Sequence, residues 1–227
     1  MRRWRRLFPL LAVAACSSLE EGQGGIVALE LQTPAITTLE VGEQVQLSAR
    51  ALDADGETVD ATIEWLTSSA ALSVDAGGLA TGVTAGAAQV QAAVGSLTSA
   101  QIDFTVRAPA DTIVIVGDSV LTVPVAAPVP ANPTVRIDSR TPPGPVEGQD
   151  VIFDITHPLA GTTPVVQLAN GDQSDTVRTT AEGVATVALS VGTGQVPPDT
   201  AIVEVRANRL RGAVVPGSGQ RFIILFQ

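Results

Sequence analysis

Few side chains in this 227-residue chain can do covalent or metal chemistry. There is one cysteine, Cys16, and one histidine, His157. A catalytic nucleophile needs a neighbouring base, and a zinc site needs several nitrogen or sulfur ligands. His157 precedes Pro158 at the end of a predicted strand, which is an ordinary position for a loop-edge residue. We therefore predict no catalytic residue, no cofactor and no enzymatic activity.

The acidic residues are spread along the chain, but one short segment carries four of them. Asp53, Asp55, Glu57 and Asp60 fall within eight residues. The spacing does not match an EF-hand, which needs a third Asp or Asn before the glycine and a distal glutamate. Asp-Gly at a hairpin tip explains most of the segment without a metal. We predict no metal site, and calcium at Asp53, Asp55 and Glu57 is the alternative that the sequence leaves open.

The N-terminus has the marks of a secretory signal over residues 1–15. Four arginines precede an apolar run, Leu7–Ala15, which ends in small residues. The run is far shorter than the roughly 20 residues that a membrane-spanning helix needs. An internal disulfide is impossible because Cys16 is the sole cysteine. An ordinary signal peptide with an incidental cysteine is the simpler alternative.

The segment Val13-Ala14-Ala15-Cys16 resembles a lipobox, the cleavage and acylation site of bacterial lipoproteins. Leucine is commoner in that family where Val13 stands. The resemblance implies that Cys16 becomes the first residue and carries acyl chains such as palmitate. Ser17 follows where the rule for inner-membrane retention expects aspartate, so an outer-membrane location is favoured. The side of that membrane on which the protein lies stays open.

Residues 16–25 combine the predicted acylated cysteine with a flexible tether. Their small, polar and glycine-rich composition favours an unstructured linker that reaches at most ~30 Å. Without residues 1–15, nine arginines stand against 23 acidic side chains, and lysine is absent. So acidic a chain repels nucleic acid and anionic headgroups. We predict no nucleic-acid partner, and a membrane contact through the lipid alone.

Beyond the tether, apolar and polar residues alternate over many short segments. This period of two, with few helical patterns, is typical of antiparallel strands that pack on one face. The fold class predicted is all-β, with two tandem sandwiches at 26–107 and 112–227 and a hinge at 108–111. The aromatic residues expected inside are Trp65, Phe104 and Phe153.

Three local expectations accompany this fold. The proline-rich stretch 124–145 is expected to hold only a short edge segment, Thr134–Ile137. Arg221–Phe226 is apolar on both faces, which favours a central strand covered on both sides over an edge strand, and an exposed Phe226 would mark a docking site. Turns that need a positive φ are expected at Gly42, Gly78, Gly82 and Gly86.

Residues 26–107 resemble a bacterial immunoglobulin-like domain of group 2. The resemblance is carried by Leu39–Leu47, Ile63–Trp65 with the following Thr67–Ser69, and Leu72–Gly86. More loosely, Gly148–Ile155 and Thr179–Val187 resemble an invasin-type immunoglobulin-like domain. Both families imply surface attachment or display, and neither names a ligand.

These observations favour a non-enzymatic, lipid-anchored cell-envelope protein that displays immunoglobulin-like domains for adhesion or protein–protein interaction. Its partner would be a protein or a cell-surface ligand of unknown identity. Sugar recognition by stacking is disfavoured because exposed aromatic residues are not expected. A structural or accessory subunit (spacer) of a larger envelope assembly is the alternative. A hydrolase of unusual geometry that depends on His157 is the third hypothesis.

Overall fold

The computed structural model describes residues 25–125, 130–159 and 164–227. The predicted signal peptide, Cys16 and all of the predicted tether except Gly25 lie outside the described residues. Within the described ranges every regular element is a β-strand. No helix in this part of the chain is long and apolar enough to cross a membrane.

The first unit contains strands β1 to β11, joined in three sheets. One has the order β10-β9-β11-β2 with β6 paired to β9, and the others are β1-β4-β5 and β3-β8-β7. Strand β2 runs parallel to β11, whereas β9 and β11 are antiparallel. The strands are β1 (Ala28–Gln32), β2 (Thr38–Glu40), β3 (Gln44–Gln46), β4 (Ser48–Leu52), β5 (Thr58–Val59), β6 (Glu64–Thr67), β7 (Leu72–Val74), β8 (Leu79–Gly82), β9 (Gly86–Val94), β10 (Leu97–Thr98) and β11 (Ile102–Arg107).

The core of this unit comes from the alternation that the sequence displays. Phe104 is 1% exposed and lies among small aliphatic residues such as Leu39, Leu72 and Val90. Trp65 is only partly buried and packs against this cluster from its margin. Its indole lies over Gly78, where a Cβ atom would stand 2.8 Å from Trp65 Cζ2. Gly78 is therefore required by contact as well as by its positive φ of 81°.

Gly82 differs from the expectation of a positive φ, which holds at Gly42, Gly78 and Gly86. It is the last residue of β8, and a Cβ there would lie 2.8 Å from the carbonyl oxygen of Glu40. The same Cβ would lie 3.0 Å from Val106 Cγ1. Gly82 therefore lets backbone approach backbone, which is a packing role rather than a conformational one.

The second unit contains strands β12 to β22. A five-stranded sheet has the order β13-β22-β21-β16-β18, and it faces strands of the sheets β12-β14-β15, with β19 on β14, and β17-β20. The strands are β12 (Thr112–Ile115), β13 (Val120–Val123), β14 (Thr134–Arg140), β15 (Pro143–Pro145), β16 (Asp150–His157), β17 (Val166–Leu168), β18 (Ser174–Arg178), β19 (Val184–Thr186), β20 (Leu189–Val191), β21 (Thr200–Ala207) and β22 (Gln220–Phe226).

Strand β14 corrects the expectation of a short edge segment at Thr134–Ile137. It has seven residues and is central, because β12 pairs on one side and β15 and β19 share the other. Its interior contains no proline, since Pro133 precedes it and Pro142 follows it. The prolines that do enter a strand, Pro143 and Pro145, lie in β15 at the sheet edge, where a missing N–H is tolerated.

Strand β22 is central in its pairing but is not covered on both faces. It runs parallel to β13 and antiparallel to β21. Phe222, Ile224 and Phe226 point into the core, and Phe226 is only 8% exposed. Ile223, on the opposite face, is 39% exposed. The expected cover on both faces is therefore wrong, and Phe226 is not an exposed docking residue.

Phe153 is fully buried in the second core, which is otherwise mainly Val, Ala, Ile and Leu. The two units thus have separate buried clusters, each closed between sheets that are mainly antiparallel. The fold-class prediction is confirmed: the described chain is all-β and forms two tandem immunoglobulin-like β-sandwiches. Both interiors are built from the alternating aliphatic residues, with Phe104 in the first and Phe153, Phe222 and Phe226 in the second.

Replacing Gly82 by alanine should destabilise the first unit by about 1–3 kcal/mol, because the added methyl group meets a backbone oxygen that cannot move freely. Urea unfolding followed by Trp65 fluorescence measures this, since Trp65 is the one tryptophan after Trp4. Gly77→Ala is the matched control, because its Cβ would meet only the Asp75 side chain, at 3.3 Å. Equal unfolding midpoints for the two variants would contradict the packing role.

Candidate functional site

The residues that the sequence singled out for chemistry are not brought together. His157 is exposed at the end of β16. Asp53 Oδ1 accepts the N–H groups of Asp55 at 3.0 Å and Glu57 at 2.9 Å, so this carboxylate is used to hold the hairpin turn. No group of three or more potential metal ligands occurs in the described ranges. The structure therefore does not gather Asp53, Asp55 and Glu57 into a ligand set.

One exposed carboxyl group has a displaced pKa. The Thr180 hydroxyl donates a 2.8 Å hydrogen bond to Glu182 Oε2, and this bond lowers the pKa of Glu182 below its usual value. The pair lies in the turn before β19, where Thr180 also accepts the N–H of Glu182. A general acid at neutral pH needs a raised pKa, so this shift indicates turn formation rather than catalysis.

The one charged side chain that is buried in the described ranges, Glu40, lies at a junction between the two units. Glu40 is 7% exposed, and its Oε1 accepts the backbone N–H of Leu210 at 3.0 Å. Glu43 Oε2 accepts the N–H of Glu40 at 2.8 Å. A buried carboxylate is costly unless it is hydrogen-bonded, so the bond to Leu210 ties the second unit to the first. We call this group, together with Arg107, Gly148 and Arg211, the junction.

Arginines complete the junction from both sides. Arg211 Nη2 donates to the Thr38 carbonyl at 2.7 Å and to Glu43 Oε2 at 3.2 Å. In the other direction, Arg107 Nη2 donates to the Gly148 carbonyl at 3.1 Å. Hydrogen bonds donated by each unit to the other constrain rotation of one unit against the other more than a single contact would. The two units are therefore held in one relative arrangement in this structure.

The connecting segment 108–111 is also packed. Ala110 is 1% exposed and belongs to the core of the second unit. Arg209 forms an ion pair with Asp111 and donates through Nε to the Ala110 carbonyl at 2.9 Å. The predicted hinge is thus fixed to the second unit.

Sequence reasoning did not identify this junction. One signal was available, since Arg206, Arg209 and Arg211 lie close together in a chain poor in basic residues. Another was Glu40, a charged residue between Leu39 and Val41. Neither signal names the partner, because Glu40 and Leu210 are 170 residues apart.

The first unit places its described N-terminal residues away from the junction. From the junction turn at Gly42, β3 and β4 run outward over Gln44–Leu52, about 30 Å at ~3.3 Å per residue. Val27 donates to the Leu52 carbonyl at 2.9 Å, so the chain enters at that outer pole. The first described residues therefore lie at the end of the first unit that is opposite the junction.

The second unit ends in loops at the opposite pole. Strands β16, β13 and β22 all run away from the junction, so His157, Val123 and Phe226 approach the same end. Leu159 and Val196 there are 79% and 83% exposed. A cavity of about 280 Å³ lies beside Val196, with Val125, Val191, Pro197 and Phe226 among its lining residues. We call these residues the far end.

The far-end cavity is small and mainly apolar. Pockets for drug-sized ligands usually measure about 300–1,000 Å³ and carry several placed polar groups. A volume of about 280 Å³, with Thr193 and Gln195 beside its apolar lining residues, suits a single side chain of a partner better than a whole small molecule. The far end is therefore a candidate protein-contact site.

Comparison with known proteins gives structural neighbours only. No protein-family model matches the chain, and no curated protein matches it. Similar solved structures include the Yersinia pseudotuberculosis adhesin InvE, at 17% identity over 91% of this chain and 61% of that one, with a TM-score of 0.48. The two-domain structure Rst D1-D2 matches at 10% identity over 88% of this chain and 100% of that one, with a TM-score of 0.47.

A surface-layer protein, rSbsC, is also similar, at 17% identity over 89% of this chain and 28% of that one, with a TM-score of 0.34. The chain thus spans about three fifths of the InvE structure and about a quarter of the rSbsC structure. TM-scores below 0.5 carry no argument about function, so the functional conclusions rest on the geometry above.

Removal of the Glu40 carboxylate should loosen the junction. In Glu40→Ala the N–H of Leu210 loses its acceptor, which should lower the free energy of unfolding by about 1–3 kcal/mol. Small-angle scattering should show a wider range of inter-unit arrangements. Glu40→Gln keeps an oxygen acceptor and should behave like the wild type. Glu30→Ala, which removes an exposed ion pair with Arg50, should cost at most about 1 kcal/mol. Unchanged scattering for Glu40→Ala would count against the junction's role.

Proposed function

We propose that this chain is a non-enzymatic, lipid-anchored protein of the cell envelope that displays two immunoglobulin-like units for adhesion or protein–protein interaction. The observation that carries the proposal is that the first described residues and the far end lie at opposite ends of the two units. The chain enters at the outer pole of the first unit, beside Leu52, and the far end lies beyond the junction. An N-terminal anchor would therefore hold the far end away from the membrane.

The proposed anchor is the acylated Cys16 after a signal peptide at 1–15, in the outer membrane as Ser17 favours. Residues 16–25 would connect it to the first unit, with proposed bounds of 26–107 for that domain, 108–111 for the connection and 112–227 for the second domain. Group 2 membership of the first domain is part of the proposal. Its support is the contact of Trp65 with Gly78 and the close approach of Gly82 to Glu40.

A non-enzymatic role is supported by how the described residues use their reactive groups. Asp53 is occupied by turn hydrogen bonds, and Glu40 by the junction. The seven ion pairs of the described ranges join arginines to carboxylates, most of them on exposed faces. Such pairs hold surfaces and junctions, and they supply neither a nucleophile nor a base to a substrate.

The far end is the proposed contact site for a protein or cell-surface ligand. Loops at the end of a rigid scaffold are common binding sites because their sequence can vary without disturbing the core. Leu159 and Val196 present large aliphatic side chains to solvent, and the cavity beside Val196 has room for one more. Exposed aliphatic residues around a small apolar recess are typical of an anchor pocket for a partner's side chain.

Cys16→Ser should release the protein from the membrane fraction, because one or more acyl chains would supply its membrane affinity. Fractionation of cells and metabolic labelling with a fatty-acid analogue measure the two consequences. Ser17→Ala is the control variant and should keep both label and membrane association. Retention of Cys16→Ser in the membrane fraction, without label, would show a different mode of attachment and refute the lipid anchor.

Cells that display the wild-type chain should attach to a target surface better than cells that carry residues 1–25 alone. Val196→Asp should reduce attachment at least about tenfold, because it puts a charge at an apolar contact. Val83→Asp, in the first unit and also exposed, is the control and should have no effect. The accessibility of both units to protease is measured on the same intact cells. Full protection of both units, with attachment equal to that of residues 1–25, would favour an accessory subunit inside the envelope.

A further inference from the structure

The outer face of the five-stranded sheet in the second unit has an unusual composition. The strand register places outward-pointing residues of neighbouring strands side by side, beginning with Val120, Ile223 and Ile202. Leu225 lies next to this row on β22, whereas Ile152 points outward from β16 opposite Arg206, among the charged residues. Val120 and Ile223 are 47% and 39% exposed, and the other three are partly exposed. We call these five side chains and the charged residues beside them the outer face.

Charged residues occupy the half of the outer face nearer the junction, and they are matched. Arg221 pairs with Glu204 at 2.9 Å, Arg206 with Asp154 at 2.7 Å, and Arg178 with Asp150 at 2.9 Å. Three arginines therefore neutralise three carboxylates. An aliphatic area beside a band of paired charges has the composition of a protein interface, in which an apolar centre meets a polar rim.

The rest of the described surface is strongly acidic. Outside the outer face, the described ranges contain six arginines against eighteen Asp and Glu residues. Two copies of this chain would repel each other through most of their surfaces. The outer face has no net charge, so a second copy can approach there without that penalty. Charge thus selects this face for self-contact.

We propose that two copies of this chain associate through the outer face, with Ile223 near the centre of the contact. In a two-fold arrangement the same aliphatic residues meet on both sides, and the arginine–carboxylate pairs stay at the rim. Five strands at about 4.8 Å spacing and seven residues at about 3.3 Å give about 550 Å² on each copy. The total is near the lower limit for specific interfaces, so the dimer is weak and reversible.

Sedimentation equilibrium of the chain from Ser17 onward, which retains every described residue, tests this proposal. The wild type should show a monomer–dimer equilibrium. Ile223→Arg should raise the dimer Kd at least about tenfold, because it buries an unmatched charge. Leu66→Arg makes the same change at an exposed site of the first unit, 45% exposed in the wild type, and should leave Kd unchanged. Unaltered thermal unfolding would show that both variants are folded.

A second measurement locates the contact. The chain from Ser17 onward has no cysteine, so Ile223→Cys introduces one thiol. Under mild oxidation it should form a disulfide-linked dimer, whereas Leu66→Cys should stay monomeric. A wild type that is monomeric at every accessible concentration would overturn the proposal and leave the face to another partner. Equal loss of dimer in both arginine variants, or equal crosslinking of both cysteine variants, would overturn it as well.

Discussion

The carboxylate of Glu40 is the constraint on which the relation between the two units depends. It is buried, and water is replaced by the backbone N–H of Leu210 in the other unit. Because a buried charge without a partner is costly, the two units favour the arrangement in which Leu210 supplies that donor. Arg211 reinforces the same contact by bonding to Thr38 and Glu43. The junction thus makes one elongated body out of two separately packed cores.

The composition of those cores explains why the cavities of the described residues lie at the surface and the junction, and not between the sheets. Aromatic residues make up only 3% of the chain, so the interiors are layers of Val, Ala, Ile and Leu around a few Phe side chains. Small side chains fill the space between two sheets closely and leave little room for a deep pocket. The far-end cavity of about 280 Å³ lies between loops, outside the sheets.

A structural feature could be predicted from the sequence when the residues that form it are close together in the chain. Alternation is local, so the inward positions of Phe104 and Phe153 were predictable from their neighbours. Strand β14 was predicted too short and at an edge, because proline prevents pairing only at the positions it occupies and Thr134–Arg140 contains none. The outer face of β22 was misjudged because its sequence does not say what lies across from it. The junction was invisible because its partners lie far apart in the chain.

An anchor at one pole would change what the weak contact at the outer face can do. Copies held on one membrane share a thin layer, and tethering raises their effective concentration, in favourable geometry to about the millimolar range. A contact too weak to dimerise a dilute protein can then be occupied, without any additional buried area. Pairing through the second unit would also place two far ends side by side, so that two weak attachments act together. The outer face, which carries no net charge, and the junction would then both contribute to multivalent display.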